Sequence, residues 1–118
     1  MRILLLDDEE LMGRAVARML SGPGVTVITA RSPAAALAAL DREAFDVVLS
    51  DFAMPAMDGV DFLEEVRRRR PEIRRLMLTG NPGDPKVKTA LESGLVEQVL
   101  GKPASAELVR RAIGLLTD

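Results

Sequence analysis

Five short aliphatic runs recur along this chain: ILLL at 3–6, VTVI at 25–28, VVL at 47–49, LMLT at 76–79 and VEQVL at 96–100. No other feature restricts the fold as much. Each run has the length of a strand, and each is followed by a segment whose apolar residues return at helical spacing. The first such segment covers about residues 9–21, with Leu11, Ala15, Met19 and Leu20 expected along one stripe. The second opens at Ser32-Pro33, a hydroxyl N-cap followed by proline at the first helical position, and puts Leu37 and Leu40 on one face. The third opens at Asp58-Gly59 and carries Phe62, Leu63 and Val66 inward. A second cap-plus-proline start, Asp84-Pro85, opens the fourth, with Val87, Ala90 and Leu91 as its apolar face. The fifth runs from about Ser105 to Leu116 and uses Leu108, Val109, Ala112, Ile113 and Leu116.

Strict alternation of strands and helices predicts an α/β fold, a parallel sheet covered by helices on both faces. The first and third runs are solidly apolar, as central parallel strands should be. Right-handed crossovers then bring the C-terminal end of every strand to one edge of the sheet. The 118 residues suffice for one domain spanning 1–118, and no linker, repeat or low-complexity stretch divides them. No output domain is visible beside it.

What the chain lacks removes several chemistries. It has no cysteine and no histidine, which excludes disulfides, thiolate or imidazole metal sites and Ser–His triads. A net charge of −2 and a pI near 5.2 give no electrostatic case for nucleic acid or an anionic membrane as partner. No apolar stretch is long enough to span a bilayer and no signal-peptide pattern is present, so the cytoplasm is the expected compartment.

In open α/β sheets, ligands bind beyond the carboxyl ends of the strands. Asp7 and Asp8 follow the first run, Ser50 and Asp51 end the third, Thr79-Gly80 ends the fourth, and Gly101-Lys102-Pro103 ends the fifth. Three carboxylates brought together cannot all stay ionised without a cation among them. With only oxygen ligands the cation is a hard one, and Mg2+ suits few carboxylates completed by water and phosphate oxygens. A carboxylate beside such a metal can take up a phosphoryl group, which a lysine and a hydroxyl would stabilise. Asp51, the lone acid on a central strand, is the expected acceptor, with Asp7 and Asp8 as the metal pair.

The stretches ILLLDDEE, VVLSDFAMPAMDG, LMLTG and VLGKP stand in an order and spacing that resembles the receiver domain of bacterial two-component response regulators, over residues 2–117. The resemblance implies a flavodoxin-like, doubly wound (βα)5 fold with strand order 2-1-3-4-5. It implies that Asp51 accepts a phosphoryl group from a phosphohistidine on a sensor histidine kinase or phosphotransfer protein. Asp7, Asp8, Asp51 and the backbone carbonyl of Ala53 would hold Mg2+, Lys102 would contact the phosphate, and Thr79 would be the switch hydroxyl. The Lys102–Pro103 bond would be cis. A downstream protein, or an output domain, would read the switch on the face formed by the fourth helix, fifth strand and fifth helix. The implied role is a phosphoacceptor regulatory domain and not an enzyme acting on other substrates. One departure stands out: Val99 occupies the place where the family usually carries an aromatic residue coupled to the threonine. This keeps open a pseudo-receiver, an interaction module that works without phosphorylation. A phosphohydrolase would want a second acid two residues beyond its nucleophile, where this chain has Ala53.

Other residues read as structural. Glu9 and Glu10 suit a helix N-terminus, and Asp58 an N-cap with Asp61 at the capping-box position. Met54 and Met57 are expected to pack their loop. The run Arg67 to Arg70, with Arg74 and Arg75, reads as a solvated helix terminus that complements the dipole. The segment GNPGDP at 80–85 has neither the lysine nor the spacing of a nucleotide-binding loop, and reads as a mobile loop beside the site.

Overall fold

The computed structural model describes residues 1–115. Its strands are β1 (Arg2–Leu6), β2 (Thr26–Ala30), β3 (Val47–Ser50), β4 (Arg74–Thr79) and β5 (Gln98–Gly101), alternating with helices α1 (Glu10–Leu20), α2 (Pro33–Arg42), α3 (Gly59–Arg69), α4 (Pro85–Glu92) and α5 (Ala106–Ile113). All neighbouring strands pair in parallel, in the order β2-β1-β3-β4-β5. This is the order that the resemblance implies.

The sheet separates two cores by the alternation of its side chains. Leu4, Leu6, Val48 and Met77 face α2, α3 and α4, whereas Ile3, Leu5, Val47, Leu49, Leu76 and Leu78 face α1 and α5. β1 and β3 are covered on both sides, which is why their sequences are uninterrupted in aliphatic residues.

The caps form where the sequence places them. Ser32 accepts from the N–H of Ala35, Asp58 from that of Asp61, Asp84 from that of Lys86, and Ser105 from that of Leu108. The stripe expected on α1 is displaced. Its buried residues are Gly13, Val16 and Leu20, while Leu11 is 79% exposed, because the face that packs on the sheet runs through positions 13, 16 and 20. Leu91 and Leu108 are also close to half exposed, since Val87 and Ala90 on α4, and Val109, Ala112 and Ile113 on α5, already cover the sheet. Leu116, expected on the last apolar face, lies outside the described residues.

The arginine cluster departs further from a solvated terminus. Arg70 donates to the carbonyl of Leu40, Arg74 to those of Ala112 and Ile113, and Arg75 to those of Pro71, Ile73 and Leu95. These guanidinium groups cap open helix and loop carbonyls, tying elements distant in sequence. Arg68 and Arg69 keep nearer to expectation, pairing with Glu65 on their own helix, although Arg69 also reaches Asp41.

Candidate functional site

β1 and β3 are adjacent and end at the same level. The Asp51 N–H donates to the carbonyl of Leu6 at 2.9 Å, and the Asp7 N–H to that of Ala30 at 3.1 Å. The ladder thus continues one step past both strands and sets Asp7 and Asp51 side by side. An oxygen from each of Asp7, Asp8 and Asp51 lies within 4.8 Å of the others. Asp7 is 4% exposed and Asp51 7%.

Lys102 enters from the loop after β5. Its Nζ stands 3.2 Å from Asp7 Oδ2 and 3.4 Å from Asp51 Oδ2. Among the described residues Asp8 makes no ion pair. Three carboxylates facing one ammonium leave two negative charges uncompensated in a poorly hydrated corner. Burial raises the Asp51 pKa above the ordinary aspartate value, Lys102 opposes the shift and Asp7 adds to it. Burial also works against the charge of Lys102, but Asp51 and Asp7 outweigh it and hold its pKa above that of an ordinary lysine. Oxygen donors with two charges to spare fit a hard divalent cation such as Mg2+.

Asp7 also serves α1. Its Oδ1 accepts from the N–H of Glu9 at 2.9 Å, whereas Glu9, at the N-cap position, makes no capping bond with its own side chain. Thr79 ends β4 and is 2% exposed. Its Oγ1 accepts from the N–H of Asn81 at 3.1 Å, and its carbonyl from the N–H of Lys102 at 2.8 Å. The backbone of the lysine is thereby fixed to the end of the strand that carries the hydroxyl. The Lys102–Pro103 bond is cis, as expected. Ala53 lies exposed in the loop after Asp51. Val99 is partly buried against the core on the α2–α3–α4 side, in register with Met77.

The loop from β3 to α3 is sharply folded. Met57 N–H donates to the carbonyl of Pro55 at 2.8 Å, and Ala56 between them has φ 70°, a left-handed conformation that costs an alanine about 1–2 kcal/mol. Met54 and Met57 pack against the core and, with Asp8, Arg31 and Leu37, border an open groove of about 530 Å3 beside the acids.

Three neighbouring residues carry parts that their sequence context did not announce. A Cβ on Gly59 would stand 2.0 Å from the carbonyl oxygen of Asp51, so α3 can begin here only with glycine. Ser50 is fully buried and donates to that same oxygen at 2.7 Å. Lys86 of α4 bridges Asp58, the N-cap of α3, and Asp61 within that helix at 2.7 and 2.9 Å, so Asp61 answers a lysine from another helix. A polar residue closing an otherwise aliphatic run was the one visible signal for Ser50.

The response regulator receiver domain family matches residues 3–113. The transcriptional regulatory protein GlrR of Escherichia coli is 32% identical over 111 residues, covering 94% of this chain and 25% of that protein. The sensor histidine kinase RcsC of Salmonella typhimurium is 30% identical over 118 residues, covering 100% of this chain and 12% of that protein. The chain therefore spans a quarter or less of the length of these relatives. Among solved structures, the chemotaxis protein CheY4 of Vibrio cholerae superposes with a TM-score of 0.85 at 30% identity, covering 98% of both chains. The response regulator TrrA of Thermotoga maritima, solved in complex with Mg2+ and BeF, gives 0.81 at 25% identity and the same coverage of 98%.

Proposed function

The chain belongs to the response regulator receiver domain family, and from that membership we propose that it is a phosphorylation-dependent signalling switch whose acceptor is Asp51. The observation that carries this reading is the charge deficit around Asp51: a buried carboxylate beside one ammonium and two further acids. The donor is a phosphohistidine on a sensor histidine kinase or phosphotransfer protein. An Asp51 oxygen attacks phosphorus, the P–O bond forms as the P–N bond breaks, and the imidazole nitrogen keeps the electron pair. Asp7, Asp8, Asp51 and the Ala53 carbonyl are the residues to hold Mg2+, which supplies charge stabilisation to the transferring group.

Lys102, already beside Asp51 Oδ2, would follow the charge onto the phosphoryl oxygens. Thr79 accepts a hydrogen bond from Asn81, which leaves its own proton to donate to a phosphoryl oxygen. Its turn toward the new group, and the release of the 80–85 loop, would bias two conformations of the domain. Residues 1–118 act in this reading as one receiver domain, signalling through the α4–β5–α5 face to a partner or an output domain. It works in the cytoplasm, without direct contact to nucleic acid or membrane, and it processes only its own phosphoryl group. No helix among the described residues is long and apolar enough to cross a membrane.

Incubation with Mg2+ and acetyl phosphate should give a phosphoryl adduct by mass spectrometry, and Asp51→Asn should give none. An equal adduct in Asp51→Asn, or none in either protein with any phosphoryl donor, would contradict the assignment. Val99, which cannot make the rotamer change of an aromatic residue, favours a second reading as a pseudo-receiver interaction module. That reading expects no site-localised NMR shifts when Mg2+ is titrated.

A further inference from the structure

The peptide unit joining Asp51 to Phe52 is held at both ends. At its carbonyl end, the oxygen of Asp51 accepts from Ser50 Oγ at 2.7 Å. The same oxygen lies against Gly59, where an added Cβ would come within 2.0 Å of it and 2.9 Å of its carbon. At the other end, the N–H of Phe52 donates to Asp51 Oδ1 at 2.8 Å. Next in the chain, the Phe52 carbonyl accepts from the N–H of Gly59 at 2.7 Å.

A peptide unit is planar, so fixing the direction of its carbonyl fixes the direction of its N–H. Ser50 and Gly59 therefore determine where the Phe52 N–H points, and that N–H determines which Asp51 oxygen is engaged. Oδ1 is held by the backbone, and Oδ2 is the oxygen that faces Lys102 at 3.4 Å. Burying a hydroxyl at the end of an aliphatic strand costs free energy that alanine would avoid. Ser50, fully buried, offsets that cost with its single bond to Asp51.

We infer that Ser50 and Gly59 are positioning residues for the acceptor, acting through the 51–52 peptide to present Asp51 Oδ2 to the incoming phosphoryl group. This rests on the phosphoryl-transfer reading of Asp51. The lever touches neither donor nor metal, so its loss lowers the rate of transfer and leaves donor binding alone. A carboxylate free to turn forfeits orientation, and one hydrogen bond of this kind corresponds to a rate change of roughly five- to tenfold.

Wild type, Ser50→Ala and Ser50→Thr are compared at saturating Mg2+ over a range of acetyl phosphate concentrations, with adduct formation followed by mass spectrometry. The expected result is a maximal rate lowered about five- to tenfold in Ser50→Ala, an unchanged half-saturating donor concentration, and recovery in Ser50→Thr, which keeps the hydroxyl. The amide resonance of Phe52, bonded to a carboxylate, should move upfield in Ser50→Ala, a change that general loosening of the strand would not confine to that amide. If Ser50→Thr does not fold, that resonance in Ser50→Ala decides. Adduct in the wild type with an unchanged rate and an unmoved Phe52 amide in Ser50→Ala overturns the lever alone. Absence of adduct in the wild type overturns the phosphoryl reading and the positioning role with it.

Discussion

The two edges of the sheet treat charge in opposite ways. At the edge where the strands begin, Arg2, Arg74 and Arg75 each have partners. Arg2 pairs with Glu43, donates to the Ala44 carbonyl and lies 5.5 Å from the centre of the Phe45 ring, while Arg74 holds Glu97 and two carbonyls of the α5 end. At the edge where the strands finish, Asp7 and Asp51 share Lys102, and Asp8 stands beside them with no ion pair among the described residues. The first edge is a closed set of bonds that joins β1, β4, α3 and α5 to their neighbours. The second is left in deficit, and a deficit in a buried place has a use only if something outside the chain completes it. On the phosphoryl-transfer reading, one sheet thus puts its stability at one end and its proposed chemistry at the other.

The largest way to disturb this contrast is to remove the ammonium that pairs with Asp7 and Asp51. Lys102→Met should lower the unfolding free energy by about 3 kcal/mol in metal-free solution, since it leaves buried carboxylates without a partner. Mg2+ should return part of that loss, which urea melts with and without the ion would measure. At the opposite edge, Arg74→Met should cost about 1–2 kcal/mol, mostly through the orphaned carbonyls of Ala112 and Ile113, and Mg2+ should restore none of it.

The Arg74 pair also sets a small pH dependence. The Arg74 guanidinium holds the Glu97 carboxyl below the usual glutamate range, against the effect of burial. The unfolded chain therefore binds the proton more readily, and the pair's contribution is present above the ordinary glutamate pKa. It is lost as the pH falls through the lowered folded value. Melts in acid should show a shallower loss in Arg74→Met than in the wild type.

Most of the acidic edge was readable from sequence because it depends on connectivity alone. Once the strands are known to be parallel, Asp7, Asp8, Asp51, Thr79 and Lys102 must share an edge. The opposite edge was not readable. Arg74 and Arg75 follow a helix end in the chain, but their partners are carbonyls of α5 and of the turn before β5, and local sequence carries no sign of such pairings. The phase of α1 failed for a similar reason. Leu11 fits the apolar stripe on its own helix, but Gly13, Val16 and Leu20 form the face that is buried. Gly59 was legible as a helix start, whereas its approach to the Asp51 carbonyl depends on the folded loop.

The central claim, that the acidic edge holds an unmet charge reserved for a divalent cation, is tested most directly by thermal melts of wild type and Asp8→Asn with and without Mg2+. Neutralising Asp8, which makes no ion pair among the described residues, should raise metal-free stability by about 1 kcal/mol, because it removes repulsion from the proposed metal site. Mg2+ should then stabilise the wild type and leave Asp8→Asn nearly unmoved. A metal-free Asp8→Asn no more stable than the wild type, or an equal response of both proteins to Mg2+, would contradict it.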